Sequence, residues 1–239
     1  MDYQELNYGS LTREREMEAS QAFPALMRKT YLWMTFALII TGLTAYTVAT
    51  NEAFTYFLFQ HQSLVWVLFG AELLLVIGLT AAIQKLSLPV ATLLFVVYAA
   101  LNGITFSSIF WAYTMGSIAT VFFITAGTFG AMSLFGYFTK ADLSSWGKIL
   151  IMALIGLIIA TVVNLFLHNA MLDIIASYAG VLIFVGLTAY DTQKIKQMFL
   201  MAPDAGEATQ KYAVLGALTL YLDFINLFLY LLRIFGRRD

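Results

Sequence analysis

The chain has 239 residues, of which 61% are hydrophobic and 11% charged, with a net charge of −1 and no cysteine. A soluble domain carries roughly a quarter charged residues, so this is the composition of an integral membrane protein. The charge balance argues against nucleic acid as a partner, and the lack of cysteine excludes disulfides, thiol catalysis and cysteine metal sites.

Residues 1–27 read as a polar cytoplasmic tail, and residues 28–239 as one membrane domain with no room for a separate soluble unit. Within the tail, Arg13-Glu14-Arg15-Glu16-Met17-Glu18 alternates in sign and predicts a solvated or interfacial helix before Pro24. Met1 to Phe23 lacks the apolar core of a signal peptide, so the first span is expected to serve as its own insertion signal.

Seven apolar runs follow: Tyr31 to Ala49, Leu64 to Ile83, Leu88 to Tyr113, Ser117 to Phe138, Ile149 to Leu167, Met171 to Tyr190 and Tyr212 to Leu232. Each is long enough to cross the hydrocarbon as a helix at about 1.5 Å per residue. The expected fold is therefore an all-α bundle of seven transmembrane helices. Pro24 and Pro203 fall in connections, and Pro89 in the first turn of the third span, where a missing N–H costs little. Gly127, Gly130 and Gly136 of the fourth span predict close helix approach.

The cations set an orientation. With the N-terminus cytoplasmic, that side holds Arg13, Arg15, Arg28, Lys29, Lys85, Lys140, Lys148, Lys194, Lys196 and Lys211, whereas the loops Thr50 to Ser63, Thr114 to Gly116 and His168 to Ala170 hold none. Arg233, Arg237 and Arg238 then lie outside if all seven runs cross; a re-entrant last run would return them to the cytoplasm. The full crossing length of Tyr212 to Leu232 favours seven spans.

An ionised carboxylate in hydrocarbon is costly, so an intramembrane Asp or Glu is a functional-site hypothesis. Asp191 ends the sixth run and Asp223 lies inside the seventh, on a face shared with Gly216, Thr219, Asn226 and Tyr230 at spacings of three and four. The two helices are antiparallel about a hairpin at Met201-Ala202-Pro203-Asp204-Ala205-Gly206, so the two carboxyls can meet. Such a pair shares a proton when kept dry. When ionised, it offers oxygen ligands to calcium, but too few for the full shell of a storage site. The plain structural readings are a helix-end Asp191 near Lys194 and Lys196, and interhelical hydrogen bonding for Thr219 and Asn226. Glu72 in the second run is a candidate path residue or a protonated carboxyl bonded to a neighbouring helix. Asn102 and Asn164 read first as interhelical hydrogen-bonding groups; Asn102 and Asn226 are also carried, with Glu72, as candidate ion-path residues. His61 and His168 read as loop residues without metal-motif spacing, and Ser107-Ser108 as an unactivated pair. With no nucleophile or metal constellation, the chain is not expected to be an enzyme.

Gly186 to Ile195, with its Tyr-Asp-Thr-Gln-Lys-Ile core, and about thirty residues on Tyr221-Leu222-Asp223-Phe224-Ile225-Asn226-Leu227-Phe228, resemble the signature of the Bax inhibitor-1 family, bacterial type. The resemblance implies a seven-helix fold with the last helix central and a pH-sensitive calcium leak in the cytoplasmic membrane. It implies that Asp191 and Asp223 form the pH-responsive pair, that Glu72 lies on the ion path, and that calcium is the permeant ion rather than a bound cofactor. The family pattern also has a basic latch late in the second span; here Thr80-Ala81-Ala82-Ile83-Gln84-Lys85 offers only Lys85. The expected partners are the bilayer, calcium and protons, with a membrane-bound protease implied by bacterial relatives. The rival reading is a non-transporting regulator that binds a membrane partner through its charged tail.

Overall fold

A computed structural model describes residues 3–201 and 206–237, with the side chains of 3–22, 59 and 62 outside that description. The described residues form α1 (Tyr3–Thr50), α2 (Glu52–Gln60), α3 (Gln62–Ala82), α4 (Leu88–Phe106), α5 (Ile109–Ala112), α6 (Met115–Phe138), α7 (Ser144–Leu167), α8 (Ala170–Leu200) and α9 (Glu207–Phe235). Seven of them have the length and apolarity to cross a membrane. All-helical structure is what a bilayer demands, because backbone groups in hydrocarbon must be satisfied within their own segment.

Three local expectations are corrected. Pro24 is not in a connection but inside α1, which runs unbroken from the tail into the first span. It lies beside Arg28 and Lys29 at the end of the span, where the carbonyl it frees can be hydrated. The Thr50 to Ser63 loop contains the helix α2, started by Asn51, whose side chain accepts from Phe54 N at 3.0 Å. α2 holds Phe54, Tyr56 and Phe57 exposed. The third run is not one helix. Ser107 Oγ bonds to Ile104 O at 2.7 Å and Ser108 Oγ to Thr105 O at 3.0 Å, and the backbone there closes three-residue turns into α5. The Pro89 expectation holds at the start of α4. The hairpin tip at Ala202 to Ala205, with Pro203, lies outside the described residues.

The spans alternate in direction, so Arg28, Lys29, Lys85, Lys140, Lys148, Lys194, Lys196 and Lys211 collect at one end of the bundle, called here the basic end. α9 starts there and spans about 43 Å to the other end without a break. Its far end is pinned by Thr114 N to Arg237 O at 3.2 Å and Arg237 N to Ser117 Oγ at 2.9 Å. The last run is through-going and not re-entrant.

α9 is the centre of the bundle. Of its most apolar 18 residues 67% are buried, against at most 33% in any other span, and it packs on α1, α4, α6 and α8. α3 leans on α4 and α7 on α8, so both are peripheral and turn Leu, Ile and Val outward. The innermost aromatic is Tyr221, fully buried, with Phe95 and Tyr98 of α4 edge-on at 5.9 and 5.8 Å. Its hydroxyl lies 2.7 Å from Thr41 Oγ1, which is also 2.9 Å from Ala99 O. Thr41 can therefore donate to a carbonyl and accept from Tyr221, tying α1, α4 and α9 at one point.

Glycine sets the tightest approaches, though not at every site anticipated. A Cβ on Gly136 would overlap the backbone of Ala189, so α6 and α8 touch main chain to main chain, while Gly127 and Gly130 face open space. On α4, a Cβ at Gly103 would lie 2.6 Å from Thr44 Cβ of α1. Gly136→Val should cost about 1 to 3 kcal/mol through overpacking, read as a lowered detergent melting temperature, with Gly127→Val as the tolerated control. Tyr221→Phe should cost about 0.5 to 1.5 kcal/mol by the same assay, since Thr41 keeps a carbonyl partner.

Candidate functional site

The site is built from the antiparallel pairing of α8 and α9. Ile195 meets Gly216, Asp191 meets Asp223, Phe184 stacks on Tyr230 at 5.9 Å, and Arg233 pairs with Asp173 at 2.9 Å. As the α8 number falls the α9 number rises, so one register carries the whole seam. The two aspartates form one layer of it.

The turn holding Asp191 is anchored in four directions, because successive helical side chains point about 100° apart. Tyr190 fills the space over Gly147 of α7. Asp191 turns to Asp223 of α9, their carboxyls within hydrogen-bond contact. Thr192 Oγ1 reaches Ser133 Oγ of α6 at 3.4 Å. Gln193 accepts from Leu143 N at 2.9 Å and donates to Ala141 O at 2.8 Å, closing the connection between α6 and α7. In that same connection, outside the spans, hydrogen bonds from Ser144 hold the Asp142 carboxyl below its usual range.

Asp223 is 4% exposed and Asp191 half-buried. Asp223 Oδ2 is buried and, among the described residues, finds no protein N–H or O–H to accept from. What faces it is a second carboxyl, and two carboxyls hydrogen-bond only when they hold a proton between them. The geometry thus suits a proton-sharing pair. Lys194, one turn beyond Asp191, lies within electrostatic reach and sits 5.9 Å over the Tyr190 ring. Lys85 is exposed in the turn between α3 and α4.

The other polar residues gather on the far side of α9. Glu72, 9% exposed, accepts from Thr105 Oγ1 across the α3 and α4 interface. Asn102 is buried, bonds to Tyr98 O at 3.3 Å and also meets the Tyr98 side chain. Glu72 lies within electrostatic reach of both Tyr98 and Tyr221. This cluster reaches α9 at Tyr221, two residues and so about 200° round the helix from Asp223. Glu72 and Asn102 therefore belong to one polar cluster and the aspartates to another, with α9 standing between.

Asn226 and Thr219, expected to reach across helices or line a path, are half-buried, and their side chains bond back to Leu222 O at 2.8 Å and Leu215 O at 3.1 Å of their own helix. Asn164 accepts from Asn169 N at 3.0 Å at the end of α7. His61 and His168 lie at connections opposite the basic end. No group of three or more His, Cys, Asp or Glu that could hold a metal occurs among the described residues. The aspartate pair could therefore supply only part of a calcium shell. Thr41, Tyr98, Thr105 and Tyr221 are the polar participants that sequence reasoning missed. A Tyr inside the recognised motif was the available signal.

The comparisons with known proteins agree with this architecture. Residues 24–239 match the family described as inhibitor of apoptosis-promoting Bax1. The chain is 53% identical over 213 residues to the inner membrane protein YbhL of Escherichia coli K12, covering 89% of this chain and 91% of that one. It is 42% identical over 230 residues to a protein of Deinococcus radiodurans, covering 96% of each, and 44% identical over 212 residues to one of Borreliella burgdorferi, covering 89% and 91%. With the motif turn on α8, its partner segment on α9 and seven apolar helices in place, the chain belongs to the Bax inhibitor-1 family of integral membrane proteins.

Proposed function

We propose that this protein is a calcium-permeable leak channel whose conducting population is set by protonation of Asp191 and Asp223. The observation that carries the reading is the meeting of two carboxyls in the α8 and α9 seam, one of them buried with an oxygen that no protein donor serves. With one shared proton the pair is a hydrogen bond that clamps the two helices. With both ionised it becomes a repulsive pair in a poorly hydrated layer, and the seam is driven apart or must admit water or a cation. Calcium is the cation such oxygens suit, as a passing ion rather than a resident one.

Because α9 separates the aspartates from Glu72 and Asn102, the clamped arrangement holds no continuous polar route between them among the described residues. Release of the α8 and α9 seam would let α9 shift and join the two clusters. Glu72 then serves as the entry group from the end opposite the basic one. By the distribution of Lys and Arg, the basic end is cytoplasmic, and the C-terminus of this bacterial-type protein lies outside.

Purified protein in calcium-dye liposomes should show flux that changes between about pH 5 and pH 8, and Asp191→Asn and Asp223→Asn should each flatten that dependence. An unchanged pH profile in both variants sinks the gating role. Orientation is tested separately, since the chain has no native cysteine. In intact cells an impermeant thiol reagent should label Gln60→Cys, and label Ser145→Cys only after permeabilisation; the reverse pattern would invert the topology.

A further inference from the structure

A second feature lies away from the aspartate pair. α1 and α6 both pack on α8 and α9, and between them a cavity of about 480 Å³ stays open to the bundle surface at the basic end. Its floor is Met27, Met34 and Phe129, all buried, and Leu134 and Phe138 form an exposed lip. Gly130 leaves one wall bare, with nothing within 4 Å of where its Cβ would stand.

One end of the cavity is charged. Arg28 lines it, is exposed, and has no ion-pair or hydrogen-bond partner among the described residues. Lys196 Nζ donates to Tyr137 O at 2.6 Å and lies 5.2 Å over the Tyr137 ring, placing a second cation behind the same mouth. Tyr137 itself lines the cavity and stacks on Phe23 at 5.9 Å, closing its end. An apolar slot on the lipid-facing surface, with cations where the span ends, has the chemistry of one lipid: acyl chain in the slot, phosphate at Arg28.

We propose that the cleft between α1 and α6 is a binding site for an anionic diacyl phospholipid of the leaflet at the basic end. Charge complementarity selects an anionic head group over a zwitterionic one, because Arg28 offers a bidentate guanidinium with no carboxylate paired to it among the described residues. The slot also touches the machinery of the motif turn. Ser133 lines the cavity and is the group that Thr192 reaches, so a chain seated there abuts the α6 and α8 contact next to Asp191.

Native mass spectrometry of full-length protein released from nanodiscs tests the site, with equimolar phosphatidylglycerol and phosphatidylcholine as probes. The wild type should retain phosphatidylglycerol in several-fold excess. Gly130→Leu, which fills the slot, should lose the retained lipid, whereas Gly127→Leu, on the same helix with equally open space but outside the cavity, should retain it. Arg28→Gln should keep a lipid but lose the preference for phosphatidylglycerol. Equal retention of the two lipids by the wild type, or a Gly130→Leu protein that binds as the wild type does, overturns the proposal. If Gly130→Leu does not fold, Arg28→Gln decides, and an unchanged preference there overturns it.

Discussion

A helix surrounded by other helices must match each side chain it presents to a neighbour, and α9 is in that position along most of its length. Everything else in the bundle follows from how that match is made. Ala213, Ala217 and Gly216 keep α9 narrow, so partners can approach. Leu220, Leu227 and Leu231 fill the space between, and two buried polar side chains, Tyr221 and Asp223, face different helices on opposite sides. In hydrocarbon no water stands ready to compensate a lost partner. The two polar contacts are therefore the places where a change of protonation or geometry has most effect.

Much of this was legible in the sequence. Run length against bilayer thickness found all seven spans, because that length is imposed by the solvent and not by particular contacts. Helices α1 and α8 nevertheless continue beyond their apolar runs at the basic end, where the runs stop at Tyr31 and Tyr190. The antiparallel meeting of Asp191 and Asp223 was legible too, since a hairpin puts residues at comparable distances from its tip side by side. The details that escaped were set by partners distant in the chain. Thr41 looks like Thr30 or Thr188, which bond only to their own helices; nothing local shows that Tyr221 will arrive 180 residues later to share its oxygen. Gly127, Gly130 and Gly136 are equivalent on paper, yet only the last meets a backbone. The polar face of α9 was similarly overread, because a Thr or Asn can satisfy itself on its own helix by bonding one turn back.

The division of polar residues into two clusters bears on any transport reading. By sequence, Glu72, Asn102 and Asn226 are candidate residues of an ion path that would continue to the aspartates. Helical phase separates them: Tyr221 and Asp223 stand about 200° apart on the same rod. A route through both needs either rotation or translation of α9, or a detour around it. On the proposed transport reading, α9 stands between the two clusters whatever the charge on either carboxyl.

Where the α8 and α9 contact would give way follows from the anchors of the two helices. The α8 turn is held by Tyr190 over Gly147, Thr192 at Ser133 and Gln193 on the Ala141 to Leu143 connection, besides the contact of Gly136 with Ala189. Moving Asp191 would break several of these at once, including two hydrogen bonds to backbone. α9 has polar anchors of its own, Tyr221 at Thr41, Arg233 at Asp173 and Arg237 at Thr114 and Ser117. On its α8 face, however, the layers flanking Asp223 are Gly216 against Ile195 and the Tyr230 ring against Gly180 and Phe184, contacts of apolar surfaces. Sliding along such surfaces costs less than breaking buried polar bonds. On the proposed reading the aspartate pair joins two anchored helices across a seam of apolar contacts, and loss of a proton held between the carboxyls would act first on that seam.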